Sequence, residues 1–192
     1  MKTRITVLGL IATLFVVAFS IPPLTTAAQE NGRSAGSDHD PWKPLRFLMG
    51  AWQGTGQGQS GASTVERHID FVLEKRFLQV RNKCVYKPQE KNPNGETHED
   101  WGMFSYDSNR RKLILRQFHV EGFVNQFVQE SISSDGKTLV FVTEQIENIP
   151  TGWRARETYR VIADDQFEEV FELAAAGKEF EVYSRITFKR RP

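Results

Sequence analysis

Residues 47–58 read FLMGAWQGTGQG, and this stretch decides the fold. A short apolar run ends at Gly50, Trp52 follows, and Gly54, Gly56 and Gly58 then alternate with polar residues. Along an extended chain every second side chain points to the same face. The three missing side chains therefore share one face of a strand, where the strand can bend or another group can approach. A dinucleotide-binding loop would need a helix after its glycines. Here GTGQGQSG leads into STVERHIDFV, which alternates as a second strand. The stretch is expected to open a closed antiparallel barrel, with Trp52 plugging one end.

The rest of the chain keeps the same rhythm. Ten runs rich in β-branched and aromatic residues fall at 50–58, 64–73, 76–87, 97–106, 111–119, 122–131, 138–147, 153–162, 166–173 and 179–189. Turn chemistry separates them, as in Asn92-Pro93-Asn94-Gly95, Asp107-Ser108-Asn109, Ser134-Asp135-Gly136 and Pro150-Thr151-Gly152. No window carries the period of a core helix. Strands joined in order by short turns form an up-and-down meander, and closure removes the two edges an open sheet would expose. The expected fold is all-β: a closed or nearly closed ten-stranded antiparallel up-and-down barrel. A short N-terminal helical turn over residues 41–49 (PWKPLRFLM) covers one end.

Ahead of the barrel domain, 41–192, stand two other segments. Lys2 and Arg4 precede an apolar run over 5–19, and Thr26-Ala27-Ala28 offers small residues for cleavage. This is the layout of a signal peptide, 1–28, so an exported protein is expected. The run is shorter than the roughly 20 residues of a spanning helix, so no membrane span is expected after cleavage. Residues 29–40, polar and rich in Gly and Ser, read as a flexible leader. The formal net charge is only +1, which gives no reason to expect nucleic acid as a partner. The lone cysteine, Cys84, cannot form an internal disulfide. It falls in an apolar lane, where a buried thiol is expected.

Few residues announce chemistry. His39, His68, His98 and His119 show no metal-ligand spacing, so no metal site is expected. No nucleophile elbow or phosphate loop is present, and no two carboxylates pair for acid–base work. The expectation is binding without catalytic residues. The last run, EFEVYSRITFK, offers two lanes. If Phe180, Val182, Ile186 and Phe188 face inward, Tyr183 and Arg185 lie on the surface. If Tyr183 and Arg185 face inward, they form a polar anchor suited to a ligand carboxylate. The outer apolar lane would then need a cover, such as a second copy in a homodimer. Gln117 and His119 share one lane of the fifth run. Together with Tyr183, Arg185 and Trp52 they make up the expected site for a small apolar or amphipathic ligand, with the Trp52 ring expected beside the closing strand and Arg185 as its neighbour. A barrel filled by its own side chains would instead serve as an interaction module.

The pattern resembles the nitrobindin-type haem-binding β-barrels, relatives of lipocalins and fatty-acid-binding proteins. The residues that carry it are Gly50-Ala51-Trp52-Gln53-Gly54-Thr55-Gly56, with Glu66-Arg67-His68-Ile69-Asp70-Phe71 as the second strand. His98-Glu99-Asp100-Trp101-Gly102-Met103 and the closing Arg185-Ile186-Thr187-Phe188-Lys189 are similar to two further family segments. The resemblance implies haem as a cofactor, activity toward reactive nitrogen species, and an iron ligand on the closing strand. Nitrobindins carry histidine there; the register places Tyr183 at that position, and tyrosine is also a haem ligand.

Overall fold

A computed structural model describes residues 40–191. The proposed signal peptide and nearly all of the leader lie outside the described residues. A 3-10 turn, Lys43–Leu48, precedes ten strands: β1 Gly50–Gly58, β2 Gly61–Val72, β3 Phe77–Tyr86, β4 Glu96–Asp107, β5 Lys112–His119, β6 Val124–Ile132, β7 Thr138–Glu147, β8 Arg154–Ala163, β9 Gln166–Ala174 and β10 Glu181–Arg190. Each pairs with its neighbours in the chain, and β1 pairs with β10, so the barrel is closed. The ten strands agree with the ten sequence runs to within three residues at each end.

The β1 glycines make the seam possible. Gly54 lies between Val65 of β2 and Phe188 of β10, and Gly56 between Ser63 and Ile186. A Cβ on Gly54 would stand 2.8 Å from Ile186 Cγ2 and 2.9 Å from the Phe188 ring. The missing side chains on the inner face of β1 are thus replaced by those of the closing strand. The expected first-to-last pairing is present, with Phe188 and Ile186 as the residues the glycines accommodate.

Inside, alternation holds around the wall. Leu78, Phe104, Leu115, Phe127, Phe141, Phe167 and Phe188 are all fully buried, each worth roughly 1.5–3 kcal/mol of transfer free energy as an upper range. Cys84 is buried in its apolar lane. The turn Lys43–Leu48 inserts Leu45 and Leu48 into one barrel end. Trp52 Nε1 donates to the Leu48 carbonyl at 2.7 Å, and the indole meets Phe167 edge-on at 4.7 Å. That end is closed, as the position of Trp52 led one to expect.

The last strand corrects the expected choice between lanes. Val182 pairs with Glu172 and Ser184 with Phe171, leaving Tyr183 as the extra residue of a β-bulge. A bulge puts two residues opposite one and shifts the lane that follows. Ser184, Ile186 and Phe188 consequently line the interior, while Val182 is 47% exposed. Arg185 points outward and pairs with Glu168 on the outer face at 2.8 Å. The inward reading of Arg185 is therefore overturned, whereas the bulge returns Tyr183 to the cavity. The expected Trp52–Arg185 contact is also wrong. The seam register sets Trp52 against Arg190, whose guanidinium lies 4.1 Å from the indole centroid.

Candidate functional site

Four successive strands carry a polar layer across the middle of the barrel. Arg67 of β2 stands opposite Asn82 of β3, Asn82 opposite Asp100 of β4, and Asp100 opposite His119 of β5. Side chains directly across a ladder are near enough to interact, and here they are linked. Arg67 Nε donates to Asn82 Oδ1 at 3.0 Å, and Asn82 Nδ2 donates to Asp100 Oδ2 at 2.8 Å.

At one end of the layer Arg67 reaches past the β1 glycines to Glu169 of β9. Both of its terminal nitrogens bond the carboxylate, Nη2 to Oε1 at 2.9 Å. Burial alone would lower the arginine pKa, but the adjacent Glu169 outweighs it and the guanidinium is held firmly charged. Its face also lies 4.3 Å over the Phe188 ring.

At the other end stand two histidines. His98, two residues before Asp100 on the same inner lane, places Nε2 at 3.6 Å from Asp100 Oδ2. It also places Nε2 at 3.3 Å from His119 Nδ1. Its Nδ1 meets Glu121 Oε1 at 2.7 Å. The adjacent Asp100 carboxylate, aided by Glu121, lifts His98 to about 9, even though burial opposes the charge. Burial drives His119 the other way, to about 4, so its imidazole is neutral. Burial would raise Asp100, but the adjacent His98, the charge of Arg67 and the Asn82 bond together keep it below the usual carboxylate range.

A second polar branch crosses from β5 to β8. Gln117 Nε2 donates to Glu157 Oε1 at 3.0 Å, and the Tyr159 hydroxyl donates to Glu157 Oε2. Burial, reinforced by the charge of Glu169, pushes Glu157 up to about 8. Gln117 Oε1 is buried and accepts no hydrogen bond from the described residues.

Above this floor lies a cavity of about 510 Å³. Its mouth is at the barrel end opposite the capping turn, where Ser60, Phe123, Ile149, Pro150 and Trp153 come from the β1–β2, β5–β6 and β7–β8 connections. Ile146, Phe171, Leu173 and Ile186 form apolar walls, and Tyr183 lines the same space with its hydroxyl 3.2 Å from Ser60 Oγ. Of the residues expected to bind a ligand, Tyr183, His119 and Gln117 are brought together here. Trp52 is in the closed end and Arg185 is outside, so neither joins them. Without Arg185 the expected carboxylate anchor loses its cation, and Arg67, the one arginine of the lining among the described residues, is held by Glu169.

The sequence reading missed Arg67, Asn82, Asp100, Glu157 and Glu169, and expected no metal-binding cluster. The structure instead brings ligand atoms of His98, Asp100 and His119 within 4.8 Å of one another. The available signal was the spacing of His98 and Asp100 by two, which puts both on one strand face, combined with a histidine in the next strand.

Comparison with known proteins agrees with this architecture. Residues 42–190 match the family described as "THAP4-like, heme-binding beta-barrel domain". No curated protein matches the sequence. The crystal structure of Rv2717c from M. tuberculosis is similar with a TM-score of 0.62 at 18% identity, over 80% of this chain and 99% of that one. EF1p2_mFAP2b bound to DFHBI gives a TM-score of 0.41 at 11% identity, over 77% and 97% of the two chains. The likeness to Rv2717c concerns the fold, whereas the family match covers most of the sequence. The chain belongs to the THAP4-like haem-binding β-barrel domain family.

Proposed function

We propose that this barrel binds one small, largely apolar molecule with its polar end directed at the floor of the cavity. The observation that carries this reading is the two-part lining: apolar walls at Ile146, Phe171, Leu173 and Ile186 above a floor of hydrogen-bonding groups. Pockets of this size with few convergent polar groups suit small-molecule ligands. Asp100, Glu121, Glu157 and Glu169 line the space, while Arg67 is already paired. The polar end of the ligand is accordingly neutral or cationic, not a carboxylate. Gln117 Oε1 supplies an acceptor for a donor on the ligand. The N-terminal pattern supports export as part of the same proposal, with binding outside the cytoplasm.

The test is native mass spectrometry of the protein purified from its own compartment, alongside titration with the neutral dye Nile red. Leu173→Trp fills the cavity and should abolish both co-purification and dye uptake. Equal retention by this variant overturns the cavity reading.

Haem is a second reading, favoured by the family match and by Tyr183 on the closing strand. The lining fits it in part: Tyr183 and the neutral His119 are candidate iron donors, and the apolar walls suit a macrocycle. The acidic floor leaves the propionates only the mouth. Haem would supply redox iron chemistry, including chemistry with reactive nitrogen species, while Tyr183 or His119 would hold its iron. Titration with haemin should give a Soret band that moves in Tyr183→Phe. A protein that takes up no haemin overturns this reading.

A further inference from the structure

We propose that His98, Asp100 and His119 form a site for one first-row divalent metal ion, with a remaining coordination position open to the cavity. The spacing of the three groups supports this. Two ligands on a tetrahedral ion with bonds of roughly 2.0–2.1 Å lie about 3.3–3.4 Å apart. His98 Nε2 and His119 Nδ1 are 3.3 Å apart, and His98 Nε2 and Asp100 Oδ2 are 3.6 Å apart. All three ligand atoms fall within 4.8 Å of one another. The edges of the triangle thus already approach those of a coordination shell.

Each ligand is also held from behind. Ligating histidines commonly bond a carboxylate or amide through the other ring nitrogen, which fixes the ring and its tautomer. His98 Nδ1 meets Glu121 at 2.7 Å and Asp100 Oδ2 accepts from Asn82 at 2.8 Å, while His119 Nε2 lies 3.2 Å from Asn125 Nδ2, an amide that when turned over presents Oδ1 to an Nε2–H. His119 is further fixed by stacking on Phe123, with ring centroids 4.0 Å apart. Glu121 and Asn125 are therefore positioning residues. The three ligands sit on paired strands β4 and β5, with Asp100 directly opposite His119. They line the cavity, which supplies both an entry path and the open position.

Two imidazoles and one carboxylate suit zinc and its transition-metal neighbours, whereas calcium and magnesium favour all-oxygen shells. Tyr183 lies on β10, which is separated from β4 by β3, β2 and β1 around the ring. The proposed ion and Tyr183 accordingly occupy different walls. The ion shares the cavity with the ligand proposed above, but its binding is read with no organic ligand present, so the two proposals fail separately.

The test uses the metal-stripped chain titrated with Zn²⁺ by calorimetry, and with Co²⁺ by visible absorption. One ion should bind per chain, and a tenfold excess of Mg²⁺ should not displace it. His98→Ala and His119→Ala should each weaken zinc binding at least tenfold and remove the cobalt bands. Asp100→Asn keeps the shape of the side chain and should also weaken binding, which guards against failure of an alanine variant to fold. His68→Ala, at an exposed His68–Asp70 pair on the outer wall, should change nothing. Absence of zinc binding by the parent chain overturns the proposal. So does unchanged affinity in folded His98→Ala, His119→Ala and Asp100→Asn, or loss confined to His68→Ala.

Discussion

Arg67 and Glu169 form a two-point ion pair across the inside of the barrel, although two strands, β1 and β10, separate their own. Between those strands Gly54 and Gly56 leave room for Phe188 and Ile186, and the Arg67 guanidinium lies over the Phe188 ring on its way to Glu169. Both partners are almost fully buried. The pair therefore joins the glycine pattern of the first strand to the chemistry of the floor. Taking charges out of water is costly, so the value of such a pair appears when one partner is removed.

Glu169→Gln should destabilise the fold by about 3–5 kcal/mol, because it leaves a buried guanidinium without its carboxylate. Arg67→Met with Glu169→Leu should cost far less than either charge removal alone. Urea denaturation of Arg67→Met, of Glu169→Leu and of the double checks this. Additive single costs in the double would mean that the pair is not coupled.

Gly54→Ala should also destabilise, by about 1–3 kcal/mol, the usual cost of overpacking. The added methyl would meet Ile186 at 2.8 Å and Phe188 at 2.9 Å, side chains that are themselves enclosed. Phe188→Leu should restore part of the loss when combined with Gly54→Ala. Thermal melts of the four proteins give the coupling. Full additivity would show that Phe188 is not what the glycine accommodates.

The legibility of the molecule in its sequence follows from which contacts are local. Alternation and turn residues locate ten strands, because each hairpin is encoded in one continuous stretch of chain. The G-x-W stretch identifies the closed end. The register of β1 against β10 is a different matter, since no hairpin joins those strands and nothing local fixes their offset. Hence Trp52 was expected beside Arg185 and is found beside Arg190. The bulge at Tyr183 is equally hidden, and it divides one regular alternation into two lanes. The floor was missed for the same reason. Arg67, Asn82, Asp100 and His119 form a layer only through three strand registers, and each alone reads as an ordinary polar position.

Arg190 should prove to be the clamp of the closed end. Its guanidinium covers Trp52, while Nη2 donates to the Phe47 carbonyl at 3.0 Å and Nη1 to that of Met49. Arg190→Ala should lose about 1–3 kcal/mol through these bonds and the ring contact. Arg190→Lys should recover little, since an ammonium does not reproduce the planar fork. Urea denaturation, with near-UV circular dichroism reporting the packing of the aromatic cap, checks both. Full recovery by lysine would reduce Arg190 to a surface charge.

Glu157 should make the barrel less stable as pH rises from about 5 to 8. Its ordinary value of 4.5 is pushed up to about 8 in the fold by burial, with the charge of Glu169 adding to it. Between those values the folded chain binds more protons at this group than the unfolded chain, so the slope of stability against pH is negative there. The contribution is fully present below pH 4.5 and is lost as pH rises through 8. It amounts to at most about 1.4 kcal/mol per pH unit inside the window. His119, lowered to about 4 from 6.5, acts in the opposite sense between those two values. His98, raised to about 9 from 6.5, acts in the same sense as Glu157 in the upper part of the range. A single melting curve therefore cannot isolate the carboxyl group, but the difference from Glu157→Gln can. The amide keeps the shape and cannot ionise. The wild-type melting temperature minus that of Glu157→Gln should fall steadily from pH 5 to pH 8 and then level off. A difference that stays constant across that range would show that Glu157 titrates at its ordinary value, which would leave Gln117 and Tyr159 facing a permanent charge in the cavity floor.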